Sequence, residues 1–302
     1  MLHVRVLIVW AFVVSSAMVM TGCVTNAATG RSQLNLLSRD EEIALGAQEG
    51  AKMTQAYGGA ITDPQLAGYI DRVARSMLPY VEGSYGELPW EFTFINSDEI
   101  NAFALPGGKV FFTKGLAMRL TNEAQMAGVL GHEIGHVTAE HADKHISQAL
   151  ILNGGIAVTG AVLGDGGVGT QIALQTLQTG SGLFALKFSR EDELEADRLG
   201  MRYMRKAGYD PRGLRGVMEL FLEMSAGGRQ PEFLSTHPDP QRRIDQIDER
   251  TKGLGNTTLR LDAERFQREF LQPLRAKYGG GSVSMVDVET PASWCGLCAH
   301  GA

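Results

Sequence analysis

The sequence predicts a mainly α-helical protein with a small β-sheet, an α+β fold, and three observations carry that reading. Helical patterns occupy the stretches 38–57, 63–78 and 121–145, whereas the β-prone runs are confined to 90–113. At 302 residues, 44% hydrophobic and 21% charged, the chain has an ordinary globular composition and enough length to bury a substantial core.

Each element has a local cause. Asp40, Glu41 and Glu42 complement the positive end of a first helix, Ile43, Leu45, Ala47 and Met53 give it an apolar side, and Gly58-Gly59 stop it. Asp63-Pro64 opens a second helix that buries Leu66, Ile70, Val73, Ala74 and Met77 and ends at Pro79. Residues 90–95 alternate and read as a strand. Two further runs, 101–105 and 109–113, flank Pro106-Gly107-Gly108 and form a hairpin, because proline presets one turn dihedral and glycine accepts a positive one. One of these strands, from Asn101, Ala102, Phe103 and Ala104 or from Lys109, Val110 and Phe111, is a candidate sheet edge for an extended substrate. A buried structural hairpin is the alternative.

Asn122 with Gln125 makes a capping box, so a helix is expected from about Thr121 to about His145, with Ala124, Ala127, Leu130, Ile134 and Val137 facing the core. Residues 149–186 are apolar and glycine-rich, without an uninterrupted apolar stretch of about 18 residues, which disfavours a membrane span. They read as short helices around a loop, either a lid or apolar substrate surface beside the site or ordinary core.

The 121–145 helix carries His132-Glu133-Ile134-Gly135-His136. Residues four apart on a helix lie roughly 40° apart around its axis, so both imidazoles reach one metal ion, and Glu133 sits beside it. Two imidazole nitrogens and an adjacent carboxylate that takes a proton from the attacking water are what zinc-assisted peptide hydrolysis requires. The alternative is two helical histidines near a surface glutamate. His141 follows His136 by five positions, roughly 140° away on an unbroken helix, so His141 and His145 are expected at the surface or with partners elsewhere. A third ligand is needed, and several acids compete in 189–200. Glu193 and Asp197 share a helix face, Glu195 points away, and an exposed acidic helix also fits that stretch.

The termini are informative. Residues 1–22 comprise a short basic start and an apolar core, and Met20-Thr21-Gly22-Cys23 resembles a bacterial lipoprotein signal that would leave Cys23 as the lipidated first residue; a plain signal peptide or a short membrane anchor with Cys23 incidental is the alternative. Val24 in the next position points to the outer membrane of a Gram-negative bacterium, so the expected address is the periplasm, lipid-anchored, with 23–38 as a tether. Gly279-Gly280-Gly281-Ser282 opens a flexible tail over 279–302. Its Cys295 and Cys298 look like a thioredoxin motif, yet only four residues follow, so a local disulfide or a minor metal tract with His300 is the better reading. A net charge of −6 and the lack of any Lys/Arg block argue against nucleic acid as a partner.

Four motifs in order, Asn101-Ala102-Phe103 with Pro106-Gly107-Gly108, His132-Glu133-x-x-His136, Glu193-x-x-Ala196-Asp197 and Thr236-His237-Pro238, resemble peptidase family forty-eight over about residues 39–250. That family holds zinc proteases of the HtpX and CAAX prenyl protease type and a periplasmic, BepA-like lipoprotein branch. The resemblance implies a gluzincin-type metallopeptidase domain, placed at 39–278, with one zinc ion held by His132, His136 and Glu193. It further implies Glu133 as general base, Asp197 in support, and unfolded or misassembled outer-membrane proteins as substrates, with outer-membrane assembly machinery as a partner. His237 is expected either to approach the open ligand position in a latent state or to donate to the oxyanion, and Arg243 to neutralise developing charge; the alternative is a loop whose Thr, His and Pro begin the helix after Pro240. The integral-membrane members have several spanning helices, so prenylated-protein processing is not implied. The helical repeat domain of the BepA-like branch has no counterpart in the few residues of 251–302, which show no period. Two other readings are a non-cleaving zinc-binding lipoprotein with a chaperone-like role in envelope assembly, and a redox protein built on Cys295 and Cys298.

Overall fold

The computed structural model describes residues 23–153, 187–228, 230–255 and 258–279. The signal-like segment 1–22, nearly all of the apolar 149–186 stretch and the tail cysteines lie outside the described residues.

Strands β1 (Cys23–Thr25) and β2 (Ser32–Leu34) pair antiparallel. The stretch expected as a tether therefore carries a hairpin, and side-chain hydrogen bonds dock it on the domain. Buried Asn26 donates to the Tyr85 hydroxyl at 2.8 Å and to the Thr138 carbonyl at 2.9 Å. Helix α1 (Arg39–Ala56) starts at a reciprocal capping box of Ser38 and Glu41, and α2 (Pro64–Arg75) is capped by Asp63.

The central sheet contains β3 (Glu91–Ile95), β4 (Ala102–Leu105) and β5 (Lys109–Thr113), in the order β3-β5-β4. β5 runs parallel to β3 and antiparallel to β4. This corrects half of the substrate-strand expectation. Lys109, Val110 and Phe111 lie on the middle strand, whose backbone is paired on both sides, so they cannot accept a third strand. Ala102, Phe103 and Ala104, with Asn101 just before them, form the edge. The hairpin turn has Gly107 at φ 72° and Gly108 at φ 85°, as its Pro-Gly-Gly sequence indicates. A Cβ on Gly107 would lie 2.5 Å from the Ile43 Cα, so the bare residue lets α1 rest on the turn.

After α3 (Lys114–Ala117), helix α4 (Glu123–Thr138) carries the His-Glu-x-x-His motif and is buried at every position except Gln125. It stops seven residues short of the expectation. Glu140 takes a left-handed backbone (φ 55°), and α5 (His141–Asn153) starts afresh in a new direction. The break is held from far along the chain, since the Glu140 carboxylate accepts from Gln33 at 2.6 Å, from Asn35, and from Arg39 at 3.3 Å.

The remaining α-helices of the described residues are α6 (Arg190–Lys206), α7 (Arg212–Ala226), α8 (Phe233–Thr236), α9 (Pro240–Thr251), α10 (Ala263–Phe266) and α11 (Gln272–Tyr278), the last two joined by a π-helical turn, Gln267–Leu271. Helix α4 is the axis of the core, flanked by α6, α7 and β4. The approach to α6 is unusually close. A Cβ on Gly135 would lie 2.6 Å from the Ala196 carbonyl oxygen, and one on Gly200 would lie 2.6 Å from the Gly131 carbonyl carbon. These glycines bring the backbones of the two motif-bearing helices together. No described helix is long and apolar enough to cross a membrane.

Around the Glu140 break, burial and then the Glu140 charge push the Glu42 carboxyl up to about 8, against the pull of Arg39. Asp143 is pushed up to about 7, chiefly by burial. The fold therefore binds these protons more tightly than the unfolded chain does, whose ordinary values are 4.5 and 3.8. Their contribution to stability declines as pH rises through that window. Glu42→Gln is expected to raise Tm more at pH about 8 than at pH about 5 in a calorimetric comparison; an equal shift at both would contradict it.

Candidate metal centre

Four segments converge on one buried point. Helix α4 presents His132 and His136 from successive turns, α6 presents Glu193 and Asp197, the α8–α9 junction supplies His237, and the first turn of α9 supplies Arg243. All seven residues expected at the site, Glu133 included, are brought together here.

Ligand atoms of His132, His136, Glu193 and His237 lie within 4.8 Å of one another, and all four side chains are buried. The two histidine Nε2 atoms are 3.0 Å apart. Glu193 Oε2 is 3.5 Å from His132 Nε2, and its Oε1 is 3.4 Å from His136 Nε2. His237 Nδ1 lies 3.3 Å from His132 Nε2 and 3.0 Å from Glu193 Oε1. Donors on a tetrahedral zinc ion sit roughly 3.3 Å from one another, so this set has the right span.

The protonation pattern agrees with a cation at the centre. Asp197 Oδ1 lies 2.8 Å from His132 Nδ1. The carboxylate accepts the Nδ1 proton, and the Nε2 lone pair is left facing the cluster. Burial, then the neighbouring His132, holds His136 well below the usual histidine range, which favours the neutral form that ligates. Burial alone would raise Glu193, but His237 and Arg243 hold it well below the carboxylate range. Two bare imidazole nitrogens and an ionised carboxylate pointing at one another are a donor set for a divalent ion, and the residues present fit zinc.

Arg243 is fully buried and grips Asp197 with two hydrogen bonds, Nε to Oδ2 at 2.8 Å and Nη2 to Oδ1 at 2.7 Å. Its Nη1 lies 3.0 Å from Glu193 Oε2. Against the effect of burial, these contacts, Arg243 first, lower Asp197 to about 2. The guanidinium thus fixes both acids of α6 to the first turn of α9.

Glu133 is buried, and both its carboxylate oxygens lack a hydrogen-bond partner among the described residues. Burial pushes its carboxyl up from the ordinary value, toward the range of a general base. His237 Nε2 lies 3.8 Å from Glu133 Oε1. Burial would lower His237, yet Glu193 and Glu133 outweigh it and raise it.

His141 corrects the sequence reading. It is 1% exposed, not a surface residue, and its Nδ1 lies 2.9 Å from Nδ1 of His136. The left-handed Glu140 turns α5 back so that His141 supports the ligand from behind, with its own Nε2 3.6 Å from both Asp192 and Glu195. His145 is half-buried and contacts Asp192 at 2.8 Å. Sequence reasoning also missed two aromatic walls. Phe188 stacks on His136 with ring centroids 4.1 Å apart, and Phe233 stacks on His237 at 4.2 Å. The spacing of Phe233 four residues before His237 was the available signal for the second.

Comparison with known proteins matches the geometry. The profile of Peptidase family M48 covers residues 64–251. The chain is 32% identical over 223 residues to the Beta-barrel assembly-enhancing protease of Escherichia coli (strain K12), an alignment covering 71% of this chain and 45% of that protein. It is 34% identical over 175 residues to the Mitochondrial metalloendopeptidase OMA1 of Arabidopsis thaliana, covering 57% of this chain and 33% of the relative. The chain thus spans less than half the length of these two relatives. With the profile covering more than half of its residues and the histidines and glutamate of the motifs gathered in one buried cluster, the chain belongs to Peptidase family M48.

Proposed function

We propose that the chain is a zinc-dependent endopeptidase acting on unfolded or misassembled proteins of the bacterial envelope. The observation that carries the reading is Glu133, a buried carboxylate whose two oxygens lack a hydrogen-bond partner among the described residues, beside the cluster of His132, His136 and Glu193. A structural zinc site needs no free base beside it.

Zinc, when bound, supplies a Lewis acid for the scissile carbonyl and makes water a nucleophile near neutral pH. His132, His136 and Glu193 would hold it. Glu133 takes the proton of the attacking water and returns it to the leaving amine, with its raised pKa suiting both tasks. Asp197 and His141 orient the two histidines, and Arg243 holds Asp197 and Glu193 in place. His237 either guards the cluster in a latent state or donates to the oxyanion. The edge of β4, at Asn101, Ala102, Phe103 and Ala104, holds an extended substrate by backbone hydrogen bonds, which demand conformation more than sequence. Unfolded chains satisfy that demand.

The lipoprotein-like segment ending at Cys23 supports a periplasmic, outer-membrane-anchored address. The name of the Escherichia coli relative, a beta-barrel assembly-enhancing protease, supports a role beside outer-membrane assembly machinery. Degradation of unfolded casein should stop with a zinc chelator and return on adding zinc; chelator-insensitive cleavage, or none in the zinc-loaded protein, would overturn the proposal.

A further inference from the structure

Next to the metal cluster a cavity of ≈ 90 Å³, room for about one side chain, opens between Tyr57, Asn101, Phe103, Phe188 and Glu232, with His237 in its wall. Two of its walls are apolar, Tyr57 and Phe103, their ring centroids 5.5 Å apart. Opposite in character are two acceptors that lack donors. Among the described residues nothing donates to Glu232 Oε2 or Asn101 Oδ1, both atoms are buried, and Asn101 is only 4% exposed. The other Glu232 oxygen accepts from the Tyr57 hydroxyl at 2.7 Å, which fixes the carboxylate against the ring. Tyr57 and Glu232 also border a wider groove that includes Asp98 and Glu99. Asp98 has its own cation in Lys114 at 3.0 Å, so Glu232 and Glu99 supply the field there.

Buried acceptors without donors are costly and rare in folded proteins unless something supplies the donors. A side chain with an aliphatic stem and a donor-rich cationic head matches this cavity at both ends. The stem lies on the Tyr57 and Phe103 rings, and the head donates to Glu232 and Asn101. Phe103, Ala104 and Leu105 of the β4 edge line the same cavity, so a substrate laid along β4 would bring alternate side chains to it. We propose that this cavity is a specificity subsite for an arginine or lysine side chain near the scissile bond. The inference rests on the endopeptidase reading and adds a substrate preference to it.

The test uses the full zinc-loaded chain and pairs of internally quenched peptides that carry arginine or its neutral isostere citrulline, scanned on both sides of the cleaved bond. At one position arginine should be preferred in kcat/KM on the order of tenfold. That ratio should fall to near one in Glu232→Gln, and Glu232→Arg should shift the preference to a glutamate peptide. A wild-type ratio near one at every position overturns the proposal without reference to any variant, as does a ratio that survives in a folded Glu232→Gln. Cleavage of neither peptide contradicts the endopeptidase reading instead. The subsite is then decided by fluorescence anisotropy of the same peptides, where equal wild-type affinities for arginine and citrulline overturn it and tighter arginine binding that Glu232→Gln removes supports it.

Discussion

Glu133→Gln is expected to lower kcat for peptide hydrolysis on the order of a thousandfold while leaving the zinc content unchanged. The substitution keeps the size and burial of the side chain and removes only its capacity to take a proton. Glu133 has no hydrogen-bond partner to lose among the described residues, so the fold should not register the change. Burial has already pushed its carboxyl upward, which makes the ionised form a stronger base than an exposed glutamate at the same pH. Parallel casein assays and metal analysis on the two proteins give the answer. Equal rates would remove Glu133 from the chemistry, whereas loss of zinc together with activity would make it a ligand.

The second large effect concerns stability. Arg243→Leu leaves Asp197 buried beside Glu193 without the guanidinium that grips both, and removing one partner of a buried ion pair costs about 3–5 kcal/mol. Both hydrogen bonds to Asp197 disappear, and α9 loses its polar link to α6. Urea unfolding should show that loss, and the double replacement Arg243→Leu with Asp197→Asn should recover part of it, because the uncompensated charge is then gone. A loss below about 1 kcal/mol for Arg243→Leu would mean that the pair carries little of the packing between these helices.

What could be read from the sequence was what depends on near neighbours along the chain. The phase of His132 and His136 on one helix, the shared face of Glu193 and Asp197, and the Pro106-Gly107-Gly108 turn are consequences of local geometry, and the structure has all three. The convergence of α4 and α6 was not read, although Gly131, Gly135 and Gly200 are the residues that permit it. The failures have a common cause in distance. Nothing near Glu140 announces a helix end, because Gln33, Asn35 and Arg39 stabilise that turn from about a hundred residues away. His141 was rejected on an unbroken-helix argument that this one residue invalidates. β5 was indistinguishable from β4 as an edge because its parallel partner β3 is set by tertiary contact, not by the hairpin. The docking of 23–38 likewise rests on Asn26 meeting Tyr85 and Thr138.

The central claim is that His132, His136 and Glu193 together hold one zinc ion. Its most direct test is native mass spectrometry of the purified chain beside Glu193→Ala. The wild-type protein should carry one zinc per chain, and the variant should lose it at matched free zinc, since one of three protein ligands is gone. A wild-type protein that takes up no zinc, or a folded Glu193→Ala that retains it equally, would contradict the account.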